Sequence, residues 1–299
     1  MRLPPCPVSV ILPIYNCQNT VVRAVRSILE QTRPPAEIIC INDGSTDQTL
    51  ETLNTYIAGH PLGDLVKIID MPENGGVYVA RNQGLQAAMQ PYIAFQDADD
   101  FWHPRKLEIE YAAFEADQDL FFLTHNVEVW PEEQLICWHD VTPCSKQLSK
   151  VSKHRCLWFT RLHTISVMMK RSDRYIFDES KRRGGDMLMW LEIVLSNEKS
   201  RYLNETLSWK AKPHVGASGL SGNLWKAEME NQHTIEVLAS KKLISRPYAF
   251  LKGWCMAKLL RRYFMVEARK LRKGLLWKKS WEEQPHAGIW RDTPETSAR

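Results

Sequence analysis

The chain has 299 residues, 44% apolar and 25% charged, the balance of a folded protein, which excludes intrinsic disorder and collagen-like structure. Its net charge of +4 conceals an asymmetry: residues 241–281 hold 13 Lys and Arg against the single acid Glu267, a net +12, leaving 26 basic and 34 acidic residues elsewhere, a net −8. There is no apolar run of about 18 residues to cross a membrane, and the first seven residues show no hydrophobic signal core, so a cytosolic protein is expected.

Residues 8–14 form a short apolar run rich in β-branched side chains, the pattern of a buried parallel strand. Over 20–31, Val21, Ala24, Val25, Ile28 and Leu29 fall at helical spacing, and Pro34 and Pro35 close that helix. A second strand is expected over 36–41. The turn Asn42-Asp43-Gly44-Ser45 follows, then a helix over 46–57 capped by Ser45 or Thr46. A third strand covers 65–69. A helix behind Gly75-Gly76 runs through Val79, Ala80, Leu85 and Met89, and a fourth strand at 92–95 ends in Gln96-Asp97-Ala98-Asp99-Asp100.

This alternation predicts a parallel sheet covered by helices on both faces, with ligands bound beyond the carboxyl ends of its strands. Farther on, the patterns predict a helix over 104–117, strands over 121–129, 135–141 and 162–170, and a helix over 187–195 behind the loop 182–186. A strand at the sheet edge over 201–210 follows. Gly216, Gly219 and Gly222 mark a loop, the chain is mostly helical to about residue 276, and 284–299 is frayed. The seven cysteines are scattered with no Cys-x-x-Cys pair, which argues against a disulfide framework or a structural zinc site. Cys40 lies inside an apolar strand run and is expected to be buried.

Three polar clusters fall at predicted strand ends and converge on one crevice: Tyr15-Asn16, Asn42-Asp43-Gly44-Ser45 and Asp97-Ala98-Asp99-Asp100. In extended geometry Asp97 and Asp99 would point to one side, a pair suited to a hard cation such as Mn²⁺ or Mg²⁺. The alternative is a solvated turn that caps a helix.

With those residues in view, the chain resembles the family 2 glycosyltransferases. Residues 8–16 (Val-Ser-Val-Ile-Leu-Pro-Ile-Tyr-Asn), 41–47 (Ile-Asn-Asp-Gly-Ser-Thr-Asp), Asn74-Gly75-Gly76 with Ala80-Arg81-Asn82, and Asp97-Ala98-Asp99-Asp100 follow the family's order and spacing. The resemblance implies an α/β GT-A fold, a mostly parallel Rossmann-like sheet flanked by helices, with a helical C-terminal extension. It implies a nucleotide-binding half over 1–100, an acceptor-binding half over 101–215 and an extension over 216–299.

It further implies an inverting transfer from a nucleotide-sugar donor, most often a UDP-sugar, to a glycan or lipid-linked acceptor. Pro13, Tyr15, Asn16, Asp43, Asn74, Arg81, Asp97 and Ala98 would line the donor site. Tyr15 would lie against the base, Asp43 would accept a hydrogen bond from it, and Asp97 would meet the ribose and diphosphate. Asp99 would hold Mn²⁺ or Mg²⁺, with His214 as a further ligand; Lys210 and Lys212 would lie near the diphosphate. Asp186, opening the helix at 187–195, would be the general base, or else a helix cap. Where the family places a Glu before this acid the chain has Gly185, and where it usually has Asp the chain has Asn42.

The C-terminal stretch sets Leu251, Trp254, Cys255, Leu259, Tyr263 and Val266 at helical spacing among basic residues, with Trp277 and Trp281 beyond. Two readings stand: a basic amphipathic helix on an anionic membrane surface, or a stripe packed on the catalytic domain. Nucleic acid is not an expected partner, because the body is acidic and shows no recognised module. A sugar-nucleotide nucleotidyltransferase is disfavoured because Tyr15-Asn16-Cys17-Gln18-Asn19 stands where its Gly-rich phosphate loop would be. A nicotinamide dehydrogenase is disfavoured by the missing Gly-x-Gly-x-x-Gly, and a non-catalytic sugar-nucleotide-binding protein by the intact Asp97, Asp99 and Asp186.

Overall fold

The computed structural model describes residues 4–129, 148–158, 162–181, 184–210 and 224–244, with isolated positions 257 and 261. Among them the chain alternates β1 (Cys6–Ile14), α1 (Val21–Leu29), β2 (Pro35–Asn42), α2 (Thr49–Ala58), β3 (Val66–Asp70), α3 (Val77–Ala87) and β4 (Tyr92–Phe95). Then follow β5 (Phe101–Trp102), α4 (Lys106–Ala116), β6 (Phe122–Val129), β7 (Leu148–Lys150) and α5 (Lys153–Trp158). A 3₁₀ turn (Thr164–Ser166), β8 (Met168–Lys170), α6 (Gly185–Leu195), β9 (Ser200–Lys210) and α7 (Leu224–Ser240) complete the order.

These strands make one sheet in the order β3-β2-β1-β4-β8-β6-β9-β5, with β7 on β9. The expected parallel order holds from β3 to β4. Beyond β4 the sheet is mixed: β8 runs antiparallel to both β4 and β6, β6 and β9 are parallel, and β5 and β7 are antiparallel to β9.

Successive buried residues of the parallel strands alternate between the two faces of the sheet. Val8, Val10, Leu12 and Ile14 of β1, with Ile38 and Cys40 of β2, pack with α1, α2 and α4 on one face. Ile11, Ile39, Ile41 and Phe95 pack with Tyr78 and Ala80 of α3 and with α6 on the other. Strands buried on both faces need apolar side chains at nearly every position, which is why they stand out in the sequence.

Four local expectations change. The helix expected from residue 46 starts at Thr49, after Gln48. Asp47 accepts from the Thr49 amide at 3.0 Å, so Ser45 and Thr46 belong to the loop instead. The strand expected over 162–170 is a 3₁₀ turn followed by the three-residue β8. The strand expected at the sheet edge over 201–210 is interior, flanked by β6 and β5. Residues 97–100 are not extended: β4 stops at Phe95, and the Asp100 amide turns back to the Asp97 carbonyl at 3.2 Å. The strand expected over 135–141, Lys212, His214, the 216–222 glycines and, apart from positions 257 and 261, the basic stripe from Leu251 to Trp281 lie outside the described residues.

α7 packs against α6 and into the core, with Leu238 fully buried and Leu243 and Ile244 partly buried beside it. Lys241 bonds Glu192 at 2.5 Å, and Lys181 reaches Glu230 at 3.3 Å. Among the described residues no helix is long and apolar enough to cross a membrane.

Candidate active site

Because β1 to β4 are parallel and adjacent, their carboxyl ends open on one edge of the sheet, and the loops that follow meet there. The loops after β1 and β2 are laced together. Asn16, at φ +45°, accepts from the Thr46 amide at 2.8 Å; the Asn16 amide donates to Ser45 Oγ at 3.1 Å, and the Cys17 amide to Thr49 Oγ1 at 2.8 Å. Tyr15 stands out from this lacing with 48% of its surface exposed, while Pro13 is half-buried just before the end of β1.

Asp43 ties the loop after β2 to the start of α3. One carboxylate oxygen accepts from the Gly75 amide at 2.7 Å, the other from the Gly76 amide at 3.0 Å, and the Asn74 side chain donates to the Asp43 carbonyl at 3.1 Å. Burial pushes the Asp43 carboxyl above its ordinary range, opposed by those two amides. Gly44 has φ +67°, and a Cβ there would lie 2.8 Å from the Asn74 amide nitrogen, so this crossing requires glycine.

Asn42 has a local reason for not being an acid. Its amide donates to Asp70 Oδ1 of β3 at 2.7 Å and its oxygen accepts from the Ser45 amide at 3.2 Å; a carboxylate there could not donate to Asp70.

The acidic turn 97–100 is held from two sides. Arg81 of α3, its side chain 6% exposed, meets Asp97 Oδ1 at 2.6 Å. Burial opposes the Arg81 charge, but Asp97, Asp186 and Tyr78 together hold it above the ordinary arginine range. From α1, Arg23 donates to the Asp99 carbonyl at 2.5 Å and lies 5.4 Å from the Phe101 ring centroid. Ala98 and Asp99 are half-buried in the turn. The turn runs into β5, where Phe101 pairs Trp209 of β9. Lys210, the last residue of β9, follows that pair, and its Nζ lies 3.4 Å from His163 Nδ1.

Asp186 reaches the same site from the second half of the chain. Gly184, at φ +66°, is the N-cap of α6. The Asp186 carboxylate turns away to accept from Tyr78 Oη at 3.3 Å and from Thr164 Oγ1 at 3.0 Å, so the capping alternative gives way. Tyr78, Thr164 and Arg23 escape sequence reasoning, because each looks like an ordinary residue of its element. The one available signal is that Tyr78 and Arg81 stand three apart on a helix that also carries the expected Arg81-Asn82 pair. Asn82 has a structural role: its amide pairs both backbone groups of Phe177 at 2.9 Å, securing the segment that leads to α6.

In donor type, Asp97 and Asp99 are what a hard divalent cation would take, with Asp97 Oδ1 already paired to Arg81. Asp97 and Asp99 offer oxygens, and no cluster of three or more His, Cys, Asp or Glu is assembled among the described residues. Mg²⁺ and Mn²⁺ take one or two carboxylates and leave the remaining positions to phosphate oxygens and water.

Fold and site thus define an α/β protein whose loops gather acids at the carboxyl ends of its parallel strands. The sequence model of Glycosyl transferase family 2 matches residues 9–164, more than half of the chain, which therefore belongs to that family and is a glycosyltransferase. The glycosyltransferase YibD of Escherichia coli is 39% identical over 255 residues, spanning 81% of this chain and 72% of YibD. TuaG of Bacillus subtilis, named for teichuronic acid biosynthesis, is 29% identical over 224 residues, covering 74% and 83% of the two chains.

The fold is GT-A. The UDP complex of Staphylococcus aureus TarS (residues 1–349) superposes with a TM-score of 0.59 at 18% identity, over 86% of this chain and 72% of that fragment. The mannosyltransferase PcManGT of Pyrobaculum calidifontis, solved with GDP-Man and Mn²⁺, gives 0.58 at 19% identity, over 92% and 83%.

Proposed function

We propose that the chain is an inverting glycosyltransferase that moves a sugar from a UDP-sugar to a hydroxyl of a glycan or lipid-linked acceptor in cell-surface polysaccharide biosynthesis. The observation that carries this reading is the convergence of Asp186, Arg81 and Asp97 on one site at the strand ends. On this reading Asp186 serves as the base and the acidic turn at Asp97 faces the diphosphate. TuaG's name and the UDP held by TarS support the donor and the pathway class.

Tyr15 stacks on the base. Asp43 retains acceptor capacity for one base N–H beyond its amide partners. Asn16, Asn74 and Pro13 shape that pocket, and Arg81 acts through Asp97. Asp186 takes the acceptor proton as the hydroxyl oxygen attacks the anomeric carbon opposite the leaving diphosphate. A bound Mn²⁺ or Mg²⁺ supplies charge neutralisation of that diphosphate, and Asp99, with Asp97 beside it, would hold it. His214 and Lys212 are proposed to complete this side of the site. The halves 1–100 and 101–215 divide donor from acceptor, and the basic extension is proposed to rest on an anionic membrane surface.

The test is binding of UDP, GDP, CDP and TDP to the purified chain, each with Mn²⁺ and with EDTA. Metal-dependent preference for UDP, lost in Asp99→Ala, is the expected result. Equal affinity with and without Mn²⁺, unchanged by that substitution, would take Asp99 out of the site; no binding of any diphosphate would overturn the donor reading.

A further inference from the structure

Tyr78 is an aromatic side chain, 5% exposed, on the face of α3 that looks at the start of α6. Its hydroxyl accepts from the Gly185 amide at 2.9 Å and donates to Asp186 Oδ1 at 3.3 Å. The ring stacks on Phe177 at 5.8 Å, and Phe177 in turn meets Trp190 and Phe95 edge-on at 5.6 and 5.7 Å. The Arg81 guanidinium, already paired with Asp97, lies 5.8 Å from the same ring.

The ring also occupies the space that any side chain at 185 would need. A Cβ on Gly185 would fall 2.9 to 3.1 Å from three Tyr78 ring carbons, closer than packed atoms tolerate. Gly185 and Tyr78 are therefore one arrangement: the phenol lies across a glycine because no larger residue fits beneath it.

On the reading that Asp186 is the base, we propose that Tyr78 is its positioning residue. With Thr164 it fixes both oxygens of the Asp186 carboxylate and ties them, through Arg81, to the acidic turn at Asp97. Two hydroxyl donors, one per oxygen, leave the carboxylate a single orientation toward an incoming acceptor hydroxyl. Desolvation, with the nearby Asp186 charge, raises the phenol well above the ordinary tyrosine range, so it stays protonated and donating.

The experiment compares the full chain with Tyr78→Phe, Asp186→Asn and the double variant. It measures UDP affinity and release of UDP from UDP-sugars. Tyr78→Phe keeps the ring and is expected to retain UDP affinity within about two-fold while turnover falls roughly 10- to 100-fold, the worth of one hydrogen bond to a charged group. In the Asp186→Asn background the same substitution is expected to cost nothing further, because its effect runs through that carboxylate. An equal loss in both backgrounds would make Tyr78 merely structural and overturn the inference.

A second measurement needs neither turnover nor that variant's folding. With 3-fluorotyrosine in place of tyrosine, the ¹⁹F resonance of position 78 is expected to move in Asp186→Asn, and a resonance that stays put overturns the contact. A parent chain that binds no nucleoside diphosphate overturns the proposed function itself. A parent that binds UDP while the two tests above fail overturns only the role of Tyr78.

Discussion

Asp186 accepts a hydroxyl hydrogen bond from each of two elements, Tyr78 on α3 and Thr164 in the 3₁₀ turn before β8, neither adjacent to it in sequence. Replacing it with Asn preserves size and polarity while removing the basic oxygen. Turnover is expected to fall roughly 10²- to 10⁴-fold with UDP affinity intact, as steady-state assays and calorimetry on one preparation would show; near-normal turnover would refute the base. Asn42 makes the complementary case, in which a departure from the family pattern has a local cause. Asn42→Asp sets a buried carboxylate against Asp70, 2.7 Å from its present partner atom, in place of a donor. A loss of about 1–3 kcal/mol in unfolding free energy at pH 7 is expected, because a hydrogen bond is exchanged for like-charge contact. Urea titrations check it, and the loss is expected to shrink as the pH falls into the range where carboxylates take up protons.

At the scale of elements, α4 carries the least obvious feature. Lys106 and Glu110, one turn apart, are wholly buried and 2.6 Å from each other, with His125 of β6 3.5 Å from the second Glu110 oxygen and the Trp102 ring 4.1 Å from the ammonium. Burial pushes the glutamate up to about 7 and the lysine down, each toward its neutral form. Removing one partner strands the other, so Lys106→Met is expected to cost about 3–5 kcal/mol, whereas Lys106→Met with Glu110→Leu recovers most of the loss. Denaturant unfolding of both variants decides it; equal losses would mean the pair matters only as packing. From sequence, such a pair looks like an exposed i, i+4 ion pair. Helix periodicity gave α4 its place, but only the arrival of β6 and β5 over it puts the charges in the core.

At the scale of the molecule, α7 and the residues just after it, Leu243 and Ile244, pack into the core beside α6. A chain ending at Ile244 therefore keeps Leu238, the Lys181–Glu230 pair and the Lys241–Glu192 pair. It is expected to fold with unchanged melting temperature and UDP affinity but to lose binding to vesicles of anionic phospholipid, since most of the +12 over residues 241–281 goes with the tail. Vesicle sedimentation at low and high salt tests this, and a truncated chain that is insoluble would favour packing of the tail on the catalytic domain. Cutting before Lys241 would be a poorer test, because it also removes the contacts of Lys241, Leu243 and Ile244.

The parallel core from β1 to β4 was legible in the sequence because strands buried on both faces must be apolar at nearly every position. The acids and loop residues at their ends were legible for the same reason, since polar residues interrupt those runs where the strands stop. Burial, register and partnership across long separations were not written locally. The three residues of β8 carry too little periodicity to announce a strand, and β9 became interior only because the short strands β5 and β7 also pair with it. Tyr78, Thr164 and Arg23 joined the site only when helix packing set them against Asp186 and the turn at Asp97–Asp100. Sequence alone determined the family, the parallel half of the sheet and the acids. Tertiary structure decided how those acids are held, because the groups that hold them lie up to 108 residues away in the chain and meet only once the sheet and its helices have closed.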